Sequence, residues 1–90
     1  MMNLDLTIFM AKEGRQYVAH AMPLDVVSSG PTPEAAREAL YEAVQAFLLT
    51  AAASGTLEVV LEDSGYERQG DRWTCPDFVA LERHELALAV

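Results

Sequence analysis

The carboxylate side chains are the residues of this chain that could support catalysis, because converging Asp and Glu residues can hold the magnesium ions of a nuclease. Asp5, inside an apolar stretch, is the natural first ligand. It would need two or three further carboxylates, and the candidates are Asp25, Glu34, Glu38 and Asp63. Their spacing does not group them, since Glu34 and Glu38 form an i, i+4 pair on the solvated side of a predicted helix. A metal-dependent nuclease is therefore the weaker hypothesis, and we expect no metal site and no catalytic residue.

The histidines and the cysteine are the other reactive side chains. His20 lies in the middle of a predicted strand, and His84 lies in a charged, surface-like run. Neither has a neighbouring Cys or Asp at a metal-ligand spacing, and the sequence defines no Ser–His or Cys–His pair. Cys75 has no partner for an internal disulfide, which fits a reducing cytoplasm. We expect structural roles for these side chains and no cofactor.

The hinge of residues 28–33 raises a further possibility, because a helix that starts after a Gly-rich turn can bind phosphate. Such a site needs backbone N–H donors, and neither Pro31 nor Pro33 has one. No Lys or Arg lies near the hinge before Arg37. We therefore interpret the hinge as a corner, with Thr32 as the N-cap and Pro33 as the first helical residue.

Composition limits the classes of partner. The chain has 90 residues, of which 51% are hydrophobic, so we expect one folded domain over residues 1–90. With 14 Asp and Glu against 6 Lys and Arg, the formal net charge is −8. That charge repels nucleic acid and suits a basic partner, although simple solubility is an equal alternative. A small core also favours a homodimer or a higher homo-oligomer.

The same survey gives expectations about location. The apolar stretch near the start contains Asp5 and has no basic leader, so it does not resemble a signal peptide. No run approaches the roughly 20 apolar residues that a membrane span needs. We therefore expect a cytoplasmic protein.

The first half of the chain predicts three strands and a long helix. Residues 4–12 alternate in polarity, residues 16–22 form a second strand, and the turn between them makes a hairpin. Pro23 interrupts the ladder, and a short third strand ends at Gly30. An amphipathic helix of about 20 residues then follows the N-cap Thr32. Its predicted apolar face consists of Ala36, Leu40, Ala43, Val44, Phe47, Leu48 and Ala51.

The second half is more ambiguous. Residues 56–64 fit a strand or a helix, and the helix is favoured because Thr56 suits its start and Gly65 suits a Schellman motif at its end. A small hairpin should turn at Gly70–Asp71. Residues 78–90 are interpreted as a last strand, with a terminal helix as the alternative. The order β-β-β-α-α-β predicts an α+β fold, in which a mostly antiparallel sheet carries its helices on one face.

Part of the sequence resembles a known family. The match spans about half of the chain, from Tyr17 to Leu48. The residues that carry it are Tyr17, Val18, Ala19, Pro23, Leu24, Asp25, Val26, Ser28, Gly30, Thr32, Glu34, Ala36, Leu40, Glu42, Ala43, Phe47 and Leu48. They resemble the HicB-like antitoxin family, whose loose pattern runs from Tyr-Val-Ala through a Gly-x-Thr corner into an acidic, Ala-rich helix. Pro31 and Ala35 depart from that pattern.

The resemblance implies a partial, truncated ribonuclease-H-like fold, usually without its catalytic carboxylates. It implies a type II antitoxin that neutralises HicA, a small basic toxin with a double-stranded-RNA-binding fold that degrades messenger RNA. Many members also carry a C-terminal DNA-binding segment. Residues 65–90 contain no basic recognition helix, so we expect no separate DNA-binding domain and no direct nucleic-acid binding.

The leading hypothesis is therefore a non-enzymatic module that binds a small basic toxin through acidic side chains, with some apolar contact. The residues expected to bind the partner are Tyr17, Leu24, Asp25, Glu34, Glu38 and Glu42. Ordinary solvation of the glutamates is the alternative. The last strand is the expected seam of a homodimer. A second hypothesis is an orphan homo-oligomer that has no toxin and binds a small ligand; a neighbouring gene for a short basic protein would favour the first.

Overall fold

The computed structural model describes residues 2–90 and confirms the α+β class. Its elements are β1 (Asn3–Leu4), β2 (Thr7–Glu13), β3 (Gln16–Met22), β4 (Val26–Gly30), α1 (Pro33–Ala53), α2 (Leu57–Asp63), β5 (Glu67–Gln69) and β6 (Arg72–Thr74). The strands form two three-stranded sheets. We call the β2-β3-β4 sheet the main sheet and the β1-β6-β5 sheet the small sheet.

The main sheet is antiparallel, and its two faces differ in burial. Successive side chains of a strand point to opposite faces. Ala19 and Ala21 of β3 are fully buried on the inner face, whereas His20 between them lies on the outer face. α1 packs against β3 and β4. The small side chains on the inner face of β3 let the helix lie close to the sheet.

α1 begins and ends where the sequence predicts. The hydroxyl of the N-cap Thr32 accepts a hydrogen bond from the Ala35 N–H at 3.0 Å, and Pro33 occupies the first turn. At the other end, Gly55 takes φ +73 and the chain closes a Schellman motif. Neither helix in residues 2–90 has the length and apolar character that crossing a bilayer requires.

The core lies between α1, the main sheet and the small sheet. Its buried members are Ala19, Ala21, Leu24, Ala36, Leu40, Val44, Leu61, Tyr66 and Trp73. The predicted apolar face of α1 is confirmed in its first half, but Phe47 is 41% exposed. A helix of 21 residues is about 31 Å long, whereas the five residues of β4 span about 17 Å. The last turns of α1 therefore extend past the sheet and meet the short α2.

α2 confirms the favoured helical alternative for this segment. Both hydrogen bonds of a Schellman motif close its end, from the Gly65 N–H to the Glu62 carbonyl and from the Tyr66 N–H to the Leu61 carbonyl, each at 3.0 Å. Gly65 adopts φ +102, which side chains disfavour. The start differs from expectation, because the Thr56 side chain makes no capping hydrogen bond to the helix.

The first predicted strand is divided in the structure. The chain leaves the small sheet after β1 and enters the main sheet at β2, so residues 4–12 are not one strand. β1 pairs in parallel with β6, with Leu4 opposite Trp73. The alternation of apolar residues does not reveal this change of sheet, because the even-numbered residues of both segments face the same core. The predicted hairpin at Gly70–Asp71 is confirmed as β5–β6.

The last predicted strand is not formed, and neither is the alternative helix. Residues 75–90 have no regular secondary structure, and residues 76–90 are exposed. A stable strand needs both a neighbouring edge and an apolar face to bury. Leu86, Leu88 and Val90 alternate with small residues and meet no such edge among residues 2–90. The expected seam of a homodimer therefore has no strand at this position.

Candidate functional site

Three of the expected partner-binding residues form a ridge on α1. Glu34, Glu38 and Glu42 follow one another at intervals of four, so they lie on one side of the helix, and all three are exposed. We call these three residues the acidic ridge. Tyr41 is 51% exposed and lies three residues after Glu38, which places an aromatic ring beside the carboxylates. Arg37 adds one positive charge next to Glu34.

The carboxylates of the acidic ridge form no salt bridge with the described residues. In the described part of the chain, the carboxylates that face an Arg or His side chain are Asp5, Asp25, Glu58 and Glu82. Like charges at i, i+4 on a helix repel by roughly 0.2–0.5 kcal/mol per pair. A cationic partner would relieve that repulsion, and water screens it otherwise.

The corner between β4 and α1 determines where the ridge starts. Gly30 is buried, and a Cβ atom there would lie 2.8 Å from the Ala36 backbone nitrogen. This close approach and the Thr32 cap orient α1, so the expected capped corner is confirmed. Tyr17 lies opposite Gly30 on β3 and is half-buried. The Lys12 ammonium is 5.8 Å from the centroid of the Tyr17 ring.

Leu24 and Asp25 lie in the turn between β3 and β4, at the opposite end of β4 from Gly30. About 17 Å of strand separates the two ends, so these residues are not adjacent to Tyr17. Leu24 is 8% exposed and belongs to the core, which leaves it almost no surface for a partner. The six expected residues therefore do not form one cluster, and the acidic ridge is their coherent part.

A histidine–carboxylate pair at this turn was not expected from the sequence. His20 Nε2 lies 2.5 Å from Asp25 Oδ1 on the outer side of the main sheet. Asp25 adopts φ +63, and its N–H donates to the Ala21 carbonyl at 2.8 Å. The contact with His20 holds the side chain of Asp25, whose backbone lies in the left-handed region. In the sequence, Pro23 was the signal for this pair, because a tight turn at Pro23 brings residues 20 and 25 close together.

The carboxylates considered as metal ligands each have different surroundings. Asp5 Oδ1 lies 3.7 Å from an Arg72 guanidinium nitrogen, whereas Asp25 pairs with His20. Glu34 belongs to the exposed ridge. Among residues 2–90, no group of three or more His, Cys, Asp or Glu side chains is placed to hold a metal ion.

Within residues 2–90, Tyr66 and Cys75 have pKa values above the usual ones of their side chains. Tyr66 is 3% exposed, and its hydroxyl donates to the Asp5 backbone carbonyl at 2.7 Å. Burial raises the pKa of the Tyr66 phenol well above its usual value, and the charges of Cys75 and Asp5 add to this effect. Burial also raises the pKa of the Cys75 thiol, followed by the charges of Asp5 and Asp77. Both groups are therefore neutral near pH 7.

Cys75 should react slowly with iodoacetamide in the folded protein. A raised pKa leaves less thiolate at any pH below it, and the thiolate is the nucleophile. The rate measured between pH 7 and 9 should be lower than that of the urea-unfolded chain. Asp5→Asn should speed alkylation because it removes a charge that raises this pKa, and Asp63→Asn is the matched control. Equal rates for the folded and unfolded chains would contradict the assignment.

In comparisons with known proteins, the chain matches no family model, no curated protein and no solved structure.

Proposed function

We propose that this protein is a non-enzymatic, HicB-like antitoxin module of the cytoplasm that binds and neutralises a small basic, RNA-cleaving toxin. The observation that carries the proposal is the acidic ridge, a row of exposed carboxylates on one helix that form no salt bridge with any described residue. A toxin that binds RNA must present a cationic surface. Covering that surface with an acidic helix blocks RNA without any chemistry.

The physical roles of the motif residues support the proposal. Gly30 lets β4 and α1 approach closely, and Thr32 caps the helix that carries the ridge. These are the Gly and Thr of the corner that the family pattern contains. A sheet followed by a capped helix on one face is also compatible with a truncated ribonuclease-H-like fold, which we propose on the same grounds.

The net charge of −8 would also speed association with a cationic protein. Complementary fields raise association rates and lose their effect as salt screens them. Binding should therefore weaken between low and physiological ionic strength. The ridge supplies specificity because it holds three charges at a fixed spacing on one helix.

Removing the charge of the ridge should weaken toxin binding roughly tenfold, since exposed charge pairs contribute about 0.5 kcal/mol each. The test is a triple substitution, Glu34→Gln, Glu38→Gln and Glu42→Gln. The dissociation constant is measured against the small basic protein encoded beside this chain. The shapes of the side chains are retained, so the fold should persist.

The matched control removes the same charge elsewhere. Glu13, Glu62 and Glu67 are exposed and lie outside α1. Changing all three to Gln should leave the dissociation constant within about twofold at physiological salt, where distant surface charges are screened. If both triple variants weaken binding equally, net charge and not the ridge determines affinity. If the wild-type protein does not bind the basic neighbour, the proposed function fails.

A second candidate function, an orphan homo-oligomer without a toxin, is favoured by a different observation. Val27 on the main sheet and several large apolar side chains along residues 78–90 remain exposed. A chain that only bound a basic protein through charge would not need them. Absence of a basic protein gene next to this one would favour the orphan.

A further inference from the structure

Two apolar surfaces of this chain lie away from the acidic ridge. The first is the outer face of the main sheet, which we define as Phe9, Val18, Met22 and Val27. Phe9 pairs with His20 and His20 pairs with Val27, so His20 lies between Phe9 and Val27 on this face, and Val18 and Met22 lie two residues before and after His20 on β3. None of the four belongs to the core; Val27 is 53% exposed, and Phe9, Val18 and Met22 are half-buried. α1 packs on the opposite face, so it cannot cover them.

The second surface is residues 79–90, which we call the tail. Its large apolar side chains are all at least 72% exposed, and they are Val79, Leu81, Leu86, Leu88 and Val90. The radius of gyration of the chain is 15.6 Å, against about 12 Å for a compact domain of this length. The tail therefore extends from the body of the protein and buries nothing in a single copy.

The point where the tail begins connects the two surfaces. Phe78 packs edge-to-face against Phe9, with ring centroids 5.1 Å apart. The chain thus reaches the outer face and then leaves it. The 12 residues 79–90 that follow Phe78 can extend for about 40 Å, which is enough to cross the sheet of another copy.

We propose that the tail of one copy covers the outer face of the main sheet of a second copy, and that the exchange is reciprocal. One arrangement with twofold symmetry then buries both apolar surfaces of both chains. The proposal does not depend on the toxin, because it uses neither the acidic ridge nor any cationic partner.

Charge favours a second copy as the occupant. Two chains that each carry −8 repel, so they can associate only where charge is low. The four apolar residues of the outer face carry no charge, the Asp25 carboxylate on that side is already paired with His20, and the side chains of residues 86–90 are uncharged. A basic protein would find one paired carboxylate on this face and would be attracted more strongly to the acidic ridge on α1.

The available area is sufficient for a stable dimer. Fully burying one Val, Leu or Phe side chain removes about 60–120 Å² of apolar surface from water. The apolar side chains of one tail therefore provide on the order of 300–600 Å², and they cover a comparable area of the sheet. Two reciprocal contacts reach the roughly 1,200–2,000 Å² of a standard interface.

The test is the mass of the full-length chain in solution, measured by light scattering during size exclusion at 100 µM. The wild-type protein should have twice the 9.9 kDa of one chain. Leu86→Asp with Leu88→Asp should reduce the mass to that of one chain. Because the tail packs against no core residue, this variant should keep the wild-type circular dichroism spectrum. A monomeric wild-type protein, or a tail variant that stays dimeric, would overturn the proposal.

Two further variants make the test specific. Val27→Asp changes the outer face and should also give a monomer. Leu49→Asp with Val59→Asp changes two exposed apolar residues on the helices and should leave the dimer intact. If the helix variant dissociates the dimer instead, the interface lies elsewhere and the proposal is wrong.

A mixing experiment separates exchange between copies from docking of the tail on its own sheet. The tail variant keeps an intact outer face, and the Val27→Asp variant keeps an intact tail. Mixed together, they can form one of the two contacts, so the average mass should rise above that of either variant alone. A mixture that stays monomeric would contradict reciprocal exchange.

Discussion

Leu40→Ala should lower the free energy of unfolding by about 3–4 kcal/mol. Leu40 is fully buried, and with Leu61 it is one of the two largest side chains without solvent contact among the described residues. It lies near the middle of α1 and belongs to the cluster that joins the helix to the main sheet. Truncation removes buried apolar surface and leaves a cavity that a rigid sheet cannot close. For a chain of this length, the loss is a large part of the roughly 5–13 kcal/mol expected in total.

Urea denaturation followed by circular dichroism measures this effect, at one protein concentration so that any association contributes equally. Leu49→Ala is the matched control, because Leu49 lies on the same helix and is 71% exposed. Leu49→Ala should change the free energy of unfolding by no more than about 0.5 kcal/mol. Leu40→Met, which conserves volume, should cost less than about 1.5 kcal/mol. Equal losses for Leu40→Ala and Leu49→Ala would show that Leu40 is not in the core.

Gly30→Ala should lower the free energy of unfolding by about 2–3 kcal/mol, although it adds a single methyl group. The new Cβ atom would lie 2.8 Å from the Ala36 nitrogen and 2.9 Å from the Ala35 carbonyl carbon. Both are backbone atoms in the first turn of a capped helix, so they cannot rotate away. The helix must move from β4, and the contacts of α1 with the core weaken with it.

Two comparisons test this explanation for Gly30. Ser29→Ala changes the neighbouring exposed residue of β4 and should be nearly neutral. Adding Ala35→Gly to Gly30→Ala removes the Ala35 Cβ, which is 3.0 Å away, but leaves the closer backbone contacts. The double variant should therefore not recover stability. A near-neutral Gly30→Ala variant would show that α1 can move away from β4 at low cost.

The two proposed surfaces divide the molecule by charge. The acidic ridge lies on the helix side of the main sheet, and the outer face, with its apolar residues and the His20–Asp25 pair, lies on the other side. A dimer formed through the outer face would leave both ridges free, so one assembly could bind two cationic partners. The ridge variant and the tail variant should therefore act independently, the first on partner affinity and the second on mass.

Local sequence patterns were sufficient to predict many of the helices, strands and turns of this fold. The alternation of residues 16–22, the Thr32 cap, the Gly65 end of α2 and the turn at Gly70–Asp71 all predicted the observed elements. The same is true of the exposed glutamates of α1, because a spacing of four places them on one side of any helix. The alternation of residues 78–90 was misleading, since a period of two does not supply the partner strand that pairing requires.

The sequence by itself determined the local elements, the capped corner and the acidic character of this protein, because caps, turns and periodicity act within a few residues. Only the tertiary structure decided that the first strand changes sheets after Leu4, that Leu24 is buried and that His20 meets Asp25. It also decided that Phe78 rests on Phe9 while the tail stays exposed. These outcomes depend on which distant segments meet, and the free energy of such contacts balances buried area against chain entropy over the whole molecule.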